Sequence, residues 1–225
     1  MTDAPHNLSL PPMPIRVAAL PRDHRGYSIP WFVYVDANGP RFEAVQVGRA
    51  EEAIKGKGRC WICGEAMGQY KVFVIGPMCG VNRVSAEPPS HLLCAEFAAT
   101  ACPFLVKPRM KRMPVPPDAI APPGDMIARN PGVTALWVTK SFRTFRPDQT
   151  KPGILFSLGP PVEVRWYAEG RMATLDEVTQ SIASGMPILT AAAEKGGEAD
   201  LRELLQMTQD LMPYLPRAEP ALVAE

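Results

Sequence analysis

Three features are scarce in this 225-residue sequence: long apolar runs, net charge and histidine. Its longest apolar runs, such as residues 72–75, are far shorter than the ~18 residues of a membrane-spanning helix. Residues 1–24 hold no apolar core of signal-peptide length. The formal net charge of +1 argues against a strongly basic nucleic-acid polyelectrolyte and against an acidic tail. We therefore expect a cytoplasmic protein with no membrane partner.

The small number of histidines argues against two classes of metal enzyme. Nucleobase deaminases need an HxE motif followed later by PCxxC, whereas this chain has no HxE and its CxxC comes first. Treble-clef nucleases of the His-Asn-His type need a catalytic histidine beyond their structural zinc. If His91 binds zinc, only His6 and His24 remain, both near the N-terminus. The sequence contains no complete catalytic signature, and we expect a protein that is not an enzyme.

Cysteine is present five times, and two of the five form Cys60-Trp-Ile-Cys63-Gly64. An odd count with a CxxC favours metal binding over disulfides in a reducing compartment. Two thiolates at this spacing can reach one tetrahedral ion from a tight turn, and the following glycine relieves the backbone. The alternatives are a redox CxxC and plain buried thiols. No thioredoxin-like βαβ pattern surrounds the pair, which disfavours the redox hypothesis.

His91-Leu-Leu-Cys94 supplies the second half of the expected site. On a helix, residues i and i+3 lie on one face, so both side chains can point at the same ion. With Cys60 and Cys63 they give the pattern C-x2-C-x27-H-x2-C, a knuckle followed later by a helix. The pattern predicts a treble-clef-like, structural zinc site, because four protein ligands leave no position for water.

Two further cysteines compete for places in this site. Cys79 lies in the Gly76-Pro-Met-Cys-Gly80 segment and could replace His91 as a ligand. Cys102 follows Cys94 by eight residues, roughly 12 Å along a continuous helix at ~1.5 Å per residue, so both cannot bind one ion. We therefore keep Cys79 as an alternative ligand and exclude Cys102.

Periodicity and turn residues predict an α+β chain of short antiparallel strands followed by C-terminal helices. Proline is abundant at 26 residues, about twice the usual ~5%, and this favours many loops and short elements. The expected segments are an extended Pro-rich arm at 1–22, a zinc-binding α+β region at 23–112, a Pro-rich connector at 113–131, and strands followed by helices at 132–225. The last segment can pack as one domain with residues 23–112.

The expected strands are residues 31–35, buried on both faces, and residues 42–47, 72–75, 133–139, 154–158 and 162–167. Residues 36–39 are expected to form the turn of a hairpin. A helix is expected from Pro88 or Pro89 to residue 101, since proline suits a first helical turn. Thr174 and Glu177 form a capping box for a helix that Gly185-Met-Pro187 should end, and another helix should run to residue 213.

Basic residues are concentrated around the expected metal site. Residues 49–112 contain ten basic and five acidic residues, although the whole chain is nearly neutral. The tightest group comprises Lys107, Arg109, Lys111 and Arg112. These four side chains are candidates for contacts with nucleic-acid phosphates, with Trp61 or Tyr70 stacking on bases. The alternative interpretation is a solvated face beside a loop.

Two other features admit a functional and a structural interpretation. Glu87 could act as a general base beside a metal-bound water, but a carboxylate at the start of a helix also suits the helix dipole. The apolar stripe of the final helices could dock a protein partner, but such a stripe more often packs on its own domain. The sequence favours the structural interpretation in both cases.

Several motifs resemble those of an uncharacterised family of phage and bacterial proteins. They are Arg59-Cys-Trp-Ile-Cys-Gly64, Gly76-Pro-Met-Cys-Gly-Val-Asn-Arg83, Glu87-Pro-Pro-Ser-His91, Ala101-Cys-Pro-Phe-Leu105 and Trp166-Tyr-Ala-Glu-Gly-Arg171 followed by Ala173-Thr174. The resemblance covers roughly residues 27–195 and implies a phage or prophage setting, without an activity or catalytic residues.

The sequence therefore predicts a zinc-stabilised binding protein of phage or bacterial origin, with nucleic acid as its first candidate ligand. Two alternatives stay open. One is a metal-dependent enzyme with an open zinc site near Glu87. The other is an interaction protein that docks a partner through its C-terminal helices.

Overall fold

The computed structural model describes residues 11–110, 130–146 and 153–217. These residues form an α+β fold with three antiparallel sheets. The strands are β1 (Val33–Asp36), β2 (Gly39–Val45), β3 (Lys71–Ile75), β4 (Val84–Ser85), β5 (Val133–Thr139), β6 (Phe142–Phe145), β7 (Leu155–Leu158), β8 (Pro161–Ala168) and β9 (Arg171–Met172). The helices are α1 (Ile15–Ala18), α2 (Arg49–Ile54), α3 (Pro77–Asn82), α4 (Leu92–Ala101), α5 (Pro103–Val106), α6 (Leu175–Gly196) and α7 (Glu198–Leu211), with a 3-10 turn at Met212–Tyr214.

The central sheet has the strand order β3-β5-β8-β9. Its middle strand β5 is buried at all seven positions, because both faces of the sheet are covered. On one face, Phe73, Trp137 and Trp166 join a core that includes α3, α6, α7 and strand β7 of the second sheet. On the other face, Leu136 and Val72 pack against α4. The near-continuous apolar sequence of β5 follows from this burial on both sides.

Strands from both sides of the expected connector pair within this sheet, since β3 precedes residues 113–131 while β5 and β8 follow them. The expected regions 23–112 and 132–225 thus contribute to one core. Residues 111–129 lie outside the described part of the chain. The predicted hairpin is confirmed as β1 and β2, joined at Asp36 and Gly39, and the predicted strands at 133–139, 154–158 and 162–167 correspond to β5, β7 and β8.

Three expectations from the sequence are wrong. Strand β1 is not buried on both faces, because Val35 is 54% exposed. The metal-site helix begins at Leu92 rather than at Pro88 or Pro89. Ser90 is instead extended and exchanges backbone hydrogen bonds with Val72 of β3, at 2.7 and 3.0 Å. This pairing to the sheet outweighs the preference of proline for a first helical turn.

The third error concerns α6, which continues through Pro187 to Gly196. Its start is as predicted, with both hydrogen bonds of the Thr174–Glu177 capping box present. The helix continues because its inner face, including Val178, is buried, and because Gly185 packs so closely on α3 that a Cβ would lie 2.7 Å from the Met78 sulfur. Tertiary packing here outweighs the ~3 kcal/mol cost of an interior proline. Among the described helices, none is both long and apolar enough to cross a membrane.

The described part of the N-terminal arm is not wholly extended. Residues Ile15–Ala18 form the short helix α1, and Val17 is buried. Met13, Val17 and Leu20 are spaced like the inner face of a helix and pack towards the cysteines at 60, 63 and 94. The arm therefore covers the predicted metal site.

Candidate metal centre

The Cys60–Cys63 segment forms a tight turn whose backbone hydrogen bonds fix both sulfur positions. The Cys60 N–H donates to the carbonyl of Glu65 at 2.8 Å, and the Gly64 N–H donates to the carbonyl of Cys60 at 2.8 Å. Gly64 has φ of +75°, which glycine adopts at no steric cost. The Cys63 N–H also points at the Cys60 sulfur at 3.5 Å. The local sequence thus directs both thiols to the same side of the turn.

The second pair of ligands stands at the start of α4. His91 is the N-cap residue and Cys94 lies in the first turn, a position where the helix dipole favours a thiolate. The N–H of His91 donates to the Cys60 sulfur at 3.3 Å. The N–H of Trp61 donates to the carbonyl of Pro89 at 3.0 Å. These two bonds join the turn to the helix start and bring the four predicted ligands together.

Cys60, Cys63, His91 and Cys94 form a cluster in which the four potential ligand atoms all lie within 4.8 Å of one another. The Nδ1 atom of His91 is 3.4 Å from the sulfur of Cys63 and 4.0 Å from that of Cys94. No other group of this kind exists in the described ranges. Three sulfurs and one ring nitrogen could therefore hold one metal ion.

The orientation of the His91 ring suits a ligand. Its Nε2 atom lies 3.0 Å from the carbonyl oxygen of Ala66. When Nε2–H donates to this carbonyl, the lone pair of Nδ1 faces the three sulfurs. A backbone carbonyl that fixes the tautomer in this way is a usual companion of a metal-bound histidine. Ala66 was not identifiable from the sequence, because any residue type supplies the same carbonyl.

Close packing makes the thiols of the cluster compete for the ionised form. Hydrogen bonds from Cys63 and Cys94 lower the pKa of the Cys60 thiol. The contacts with Cys60 and Cys63 raise the pKa of Cys94, since a second thiolate would be buried beside the first. The pKa of His91 is raised to about 10 by the same two sulfurs. A bound cation removes this competition, because it stabilises all the thiolates together and binds the neutral ring.

The three cysteines of the cluster are buried, and His91 is half-buried. Cys60 and Cys94 are at most 1% exposed. Val17 of α1 packs directly against this group, and Arg16 forms an ion pair with Glu65 at 2.8 Å that holds α1 over the turn. The sequence analysis missed this cover. The helical spacing of Met13, Val17 and Leu20 could have indicated that this segment packs as a helix on the core.

Aromatic side chains support the turn from the opposite side. The ring of Trp61 stacks on Phe32 with centroids 4.9 Å apart, and it meets the edge of Trp31. Trp61 is only 4% exposed, so the expectation that it could stack on a nucleic-acid base is wrong. Tyr70, the alternative, is 48% exposed. Through Trp31 and Phe32, the segment that leads into β1 packs against the Cys60–Cys63 turn.

The remaining cysteines lie outside the cluster. Cys79 is on α3 and packs against the main core. Burial raises the pKa of its thiol to about 11, and the charge of Glu87 adds to this shift. Cys102 is the C-cap of α4, at the far end of the helix from Cys94. Burial also raises the pKa of Cys102. Neither thiol belongs to the group of ligand atoms that lie within 4.8 Å of one another.

Glu87 is not one of the clustered ligands either. Its backbone N–H and carbonyl both bond to the hydroxyl of Ser85, at 3.0 and 2.9 Å. Its charge acts on Cys79 and Cys102 rather than on the four clustered ligands. These contacts place Glu87 in the loop before α4.

Of the four candidate phosphate-binding residues, two lie within the described part of the chain. Lys107 and Arg109 follow α5 and are exposed. Neither forms an ion pair with the described carboxylates. Lys111 and Arg112 lie outside the described residues.

Comparison of the chain with protein-family models, with curated proteins and with solved structures found no match. The functional inference therefore rests on the residues and their arrangement.

The first prediction separates the cysteines. Cys94→Ser should lose the bound metal, while Cys102→Ser should retain it, because only Cys94 lies in the cluster. Loss of metal should lower the melting temperature by roughly 10 °C or more, since each kcal/mol shifts the midpoint of a chain this size by about 2–4 °C. Metal content and thermal unfolding measure both effects. Equal metal content in the two variants would contradict the assignment.

The second prediction concerns the turn itself. Gly64→Ala should destabilise the protein by roughly 1–3 kcal/mol, because alanine is strained at φ of +75° and its Cβ would lie 2.5 Å from the ring of Trp31. Gly68→Ala is the matched control: its Cβ would meet nothing within 4 Å. Chemical denaturation of both variants provides the comparison. A Gly64→Ala variant as stable as Gly68→Ala would show that the turn is wrongly described.

Proposed function

We propose that the protein is a zinc-stabilised binding protein and that its ligand is nucleic acid. The observation that carries the proposal is the cluster of three buried thiols and one half-buried imidazole, which supports a structural role for the metal. The alternative of a metal-dependent enzyme has less support, because three thiols and one imidazole already supply the four ligands of a tetrahedral ion.

Zinc is the ion that fits these donors best. Thiolate and imidazole are its preferred ligands, and it binds them as a tetrahedron. Bonds of ~2.3 Å to sulfur separate the sulfurs of a tetrahedral site by roughly 3.8 Å, which agrees with ligand atoms that lie within 4.8 Å of one another. A knuckle followed by the first turn of a helix is also the layout of a treble-clef site, and we assign the centre to that type.

A structural role follows from the number and burial of the ligands. Four protein ligands saturate a tetrahedral ion, whereas a catalytic zinc keeps a position for water. Zinc can contribute about 10 kcal/mol or more to folding, comparable to the ~5–15 kcal/mol stability of a whole domain. In this chain the ion would tie the Cys60–Cys63 turn to α4, which packs on the central sheet through Ala95 and Ala99.

The distribution of charged pairs favours nucleic acid as the ligand. Ten of the described arginines form ion pairs with carboxylates. Lys107 and Arg109 have no such partner among the described residues and are exposed. Unneutralised cations on a nearly neutral chain suit phosphate groups, which release their counterions on binding. The phage or bacterial setting and the reducing cytoplasm expected from the sequence agree with reduced cysteines as metal ligands.

A partner protein on the C-terminal helices has less support. The apolar stripe of α7 is used within the chain, since Leu204 and Leu211 are buried in the main core. Leu205, on the outer side of the helix, is 63% exposed. Docking through these helices stays a prediction from the sequence.

The third prediction tests nucleic-acid binding by its dependence on salt. If Lys107, Arg109, Lys111 and Arg112 all contact phosphates of a duplex, they contribute about −3.6 to the log–log salt slope, from ~0.9 per contact. Replacing all four with alanine should flatten the slope by a similar amount and weaken binding to all sequences alike. The metal content should not change, because none of the four is a ligand.

The control is the double variant Lys195→Ala and Arg202→Ala, which removes two basic residues from α6 and α7. Its salt slope should equal that of the wild type. Titration of labelled single strands and duplexes at several salt concentrations decides the matter. Absence of wild-type binding to both forms at low salt, where electrostatic attraction is strongest, would contradict the proposed function.

A further inference from the structure

A second group of basic residues surrounds an exposed aromatic ring at the far end of the central sheet. Tyr70 directly precedes β3 and is 48% exposed. The amine of Lys140 lies over its ring, 5.7 Å from the centroid. The two residues meet because Lys71 pairs with Thr139, so that Tyr70 and Lys140 are the next residues beyond the paired ends of β3 and β5.

Two more lysines belong to this region. Lys71 is the first residue of β3, and Lys57 lies at the base of the hairpin formed by residues 58–67, which carries Cys60 and Cys63. The amine of Lys71 donates to the carbonyl of Gly68. Below the metal turn, the hairpin pairs Arg59 with Ala66, and the N–H of Met67 donates to the carbonyl of Gly58 at 2.9 Å. Lys57 precedes Gly58 and Gly68 follows Met67, so both lie at the open end of this ladder. Lys140 thus contacts the ring of Tyr70, half-buried Lys71 is the next residue in the chain, and the ladder brings Lys57 towards Gly68, whose carbonyl the amine of Lys71 contacts.

The charge of this group is not neutralised within the described structure. Lys57 and Lys140 are exposed, and none of the described lysines forms an ion pair. Another exposed ring shows the contrast. Phe42 has the guanidinium of Arg25 5.6 Å from its centroid, but Arg25 is bound to Asp23 at 2.8 Å. The cations around Tyr70 have no such partner.

We propose that Tyr70 is a stacking platform for a base of single-stranded nucleic acid, with Lys57, Lys71 and Lys140 binding the adjacent phosphates. An exposed aromatic ring within a basic surface is the arrangement by which proteins hold single strands without sequence preference. A duplex cannot use the ring, because its bases are stacked on one another and its face offers only phosphates. The inference deepens the proposed function by naming the form of nucleic acid and the surface that selects it.

This surface is distinct from the candidate residues at 107–112. Gly132, next to the first residue of β5, lies beside Pro108, with 3.8 Å between a Cβ built on Gly132 and the Cβ of Pro108. Lys140 follows the last residue of the same strand. A seven-residue strand spans roughly 23 Å at ~3.3 Å per residue. Substitutions at the two surfaces can therefore be tested independently.

The experiment compares labelled oligo-dT of 20 nucleotides with a 20-base-pair duplex, using the full chain with its metal bound. Tyr70→Ala should weaken binding to oligo-dT about 5- to 150-fold, the equivalent of ~1–3 kcal/mol for one stacked base, and should leave duplex binding nearly unchanged. Tyr70→Trp and Tyr70→Phe retain a ring and should retain binding. Phe42→Ala is the matched control and should bind oligo-dT like the wild type.

The three lysines are tested together. Replacing Lys57, Lys71 and Lys140 with alanine should flatten the salt slope on oligo-dT by up to about 2.1, from ~0.7 per contact on a single strand. Unchanged metal content and melting temperature would show that the fold is intact. An unchanged salt slope in this triple variant would overturn the assignment of the three lysines to phosphates.

The failure of this inference can be told apart from the failure of the proposed function. If the wild type binds the duplex but Tyr70→Ala binds oligo-dT normally, the platform is wrong and nucleic-acid binding stands. If Tyr70→Ala weakens both ligands equally, the preference for single strands is also wrong. If the wild type binds neither ligand, both proposals fail.

Discussion

Three buried thiols and a half-buried imidazole, drawn from two segments 28 residues apart in the chain, lie together. The pKa of Cys60 is lowered and that of Cys94 is raised, because buried thiolates repel one another unless a cation lies between them. The surrounding structure depends on this cluster. The Cys60–Cys63 turn is joined to α4 through it, Val17 of α1 packs against it, and Trp61 of the turn stacks on Phe32, the residue before β1.

The candidate metal centre also links the proposed nucleic-acid surface around Tyr70 to the core. Lys57 precedes the hairpin that presents Cys60 and Cys63, Tyr70 follows it, and β3 begins at the residue after Tyr70. The position of the proposed stacking platform is therefore set at one end by the metal ligands and at the other by the pairing of β3 with β5. On this account zinc does not contact nucleic acid. It stabilises the surface that would bind nucleic acid.

The sequence was sufficient to predict which four residues cluster, because each half of the site is local. Ligands three residues apart can be recognised from spacing alone, and only one tertiary contact is needed to join the halves. The strand β5 was likewise evident from its apolar run. The errors arose where distant contacts outweigh local preference. Ser90 is held extended by Val72, α6 passes Pro187 because its inner face is buried, and α1 is a helix of only four residues that packs on the metal cluster.

The account depends most on the identity and number of ligands around one ion. Elemental analysis of protein purified without chelator, followed by X-ray absorption at the metal edge, measures both directly. We expect one zinc per chain, with three sulfur neighbours at ~2.3 Å and one nitrogen at ~2.0–2.1 Å. Protein that is folded without metal, or a zinc ion with only oxygen and nitrogen neighbours, would contradict the account.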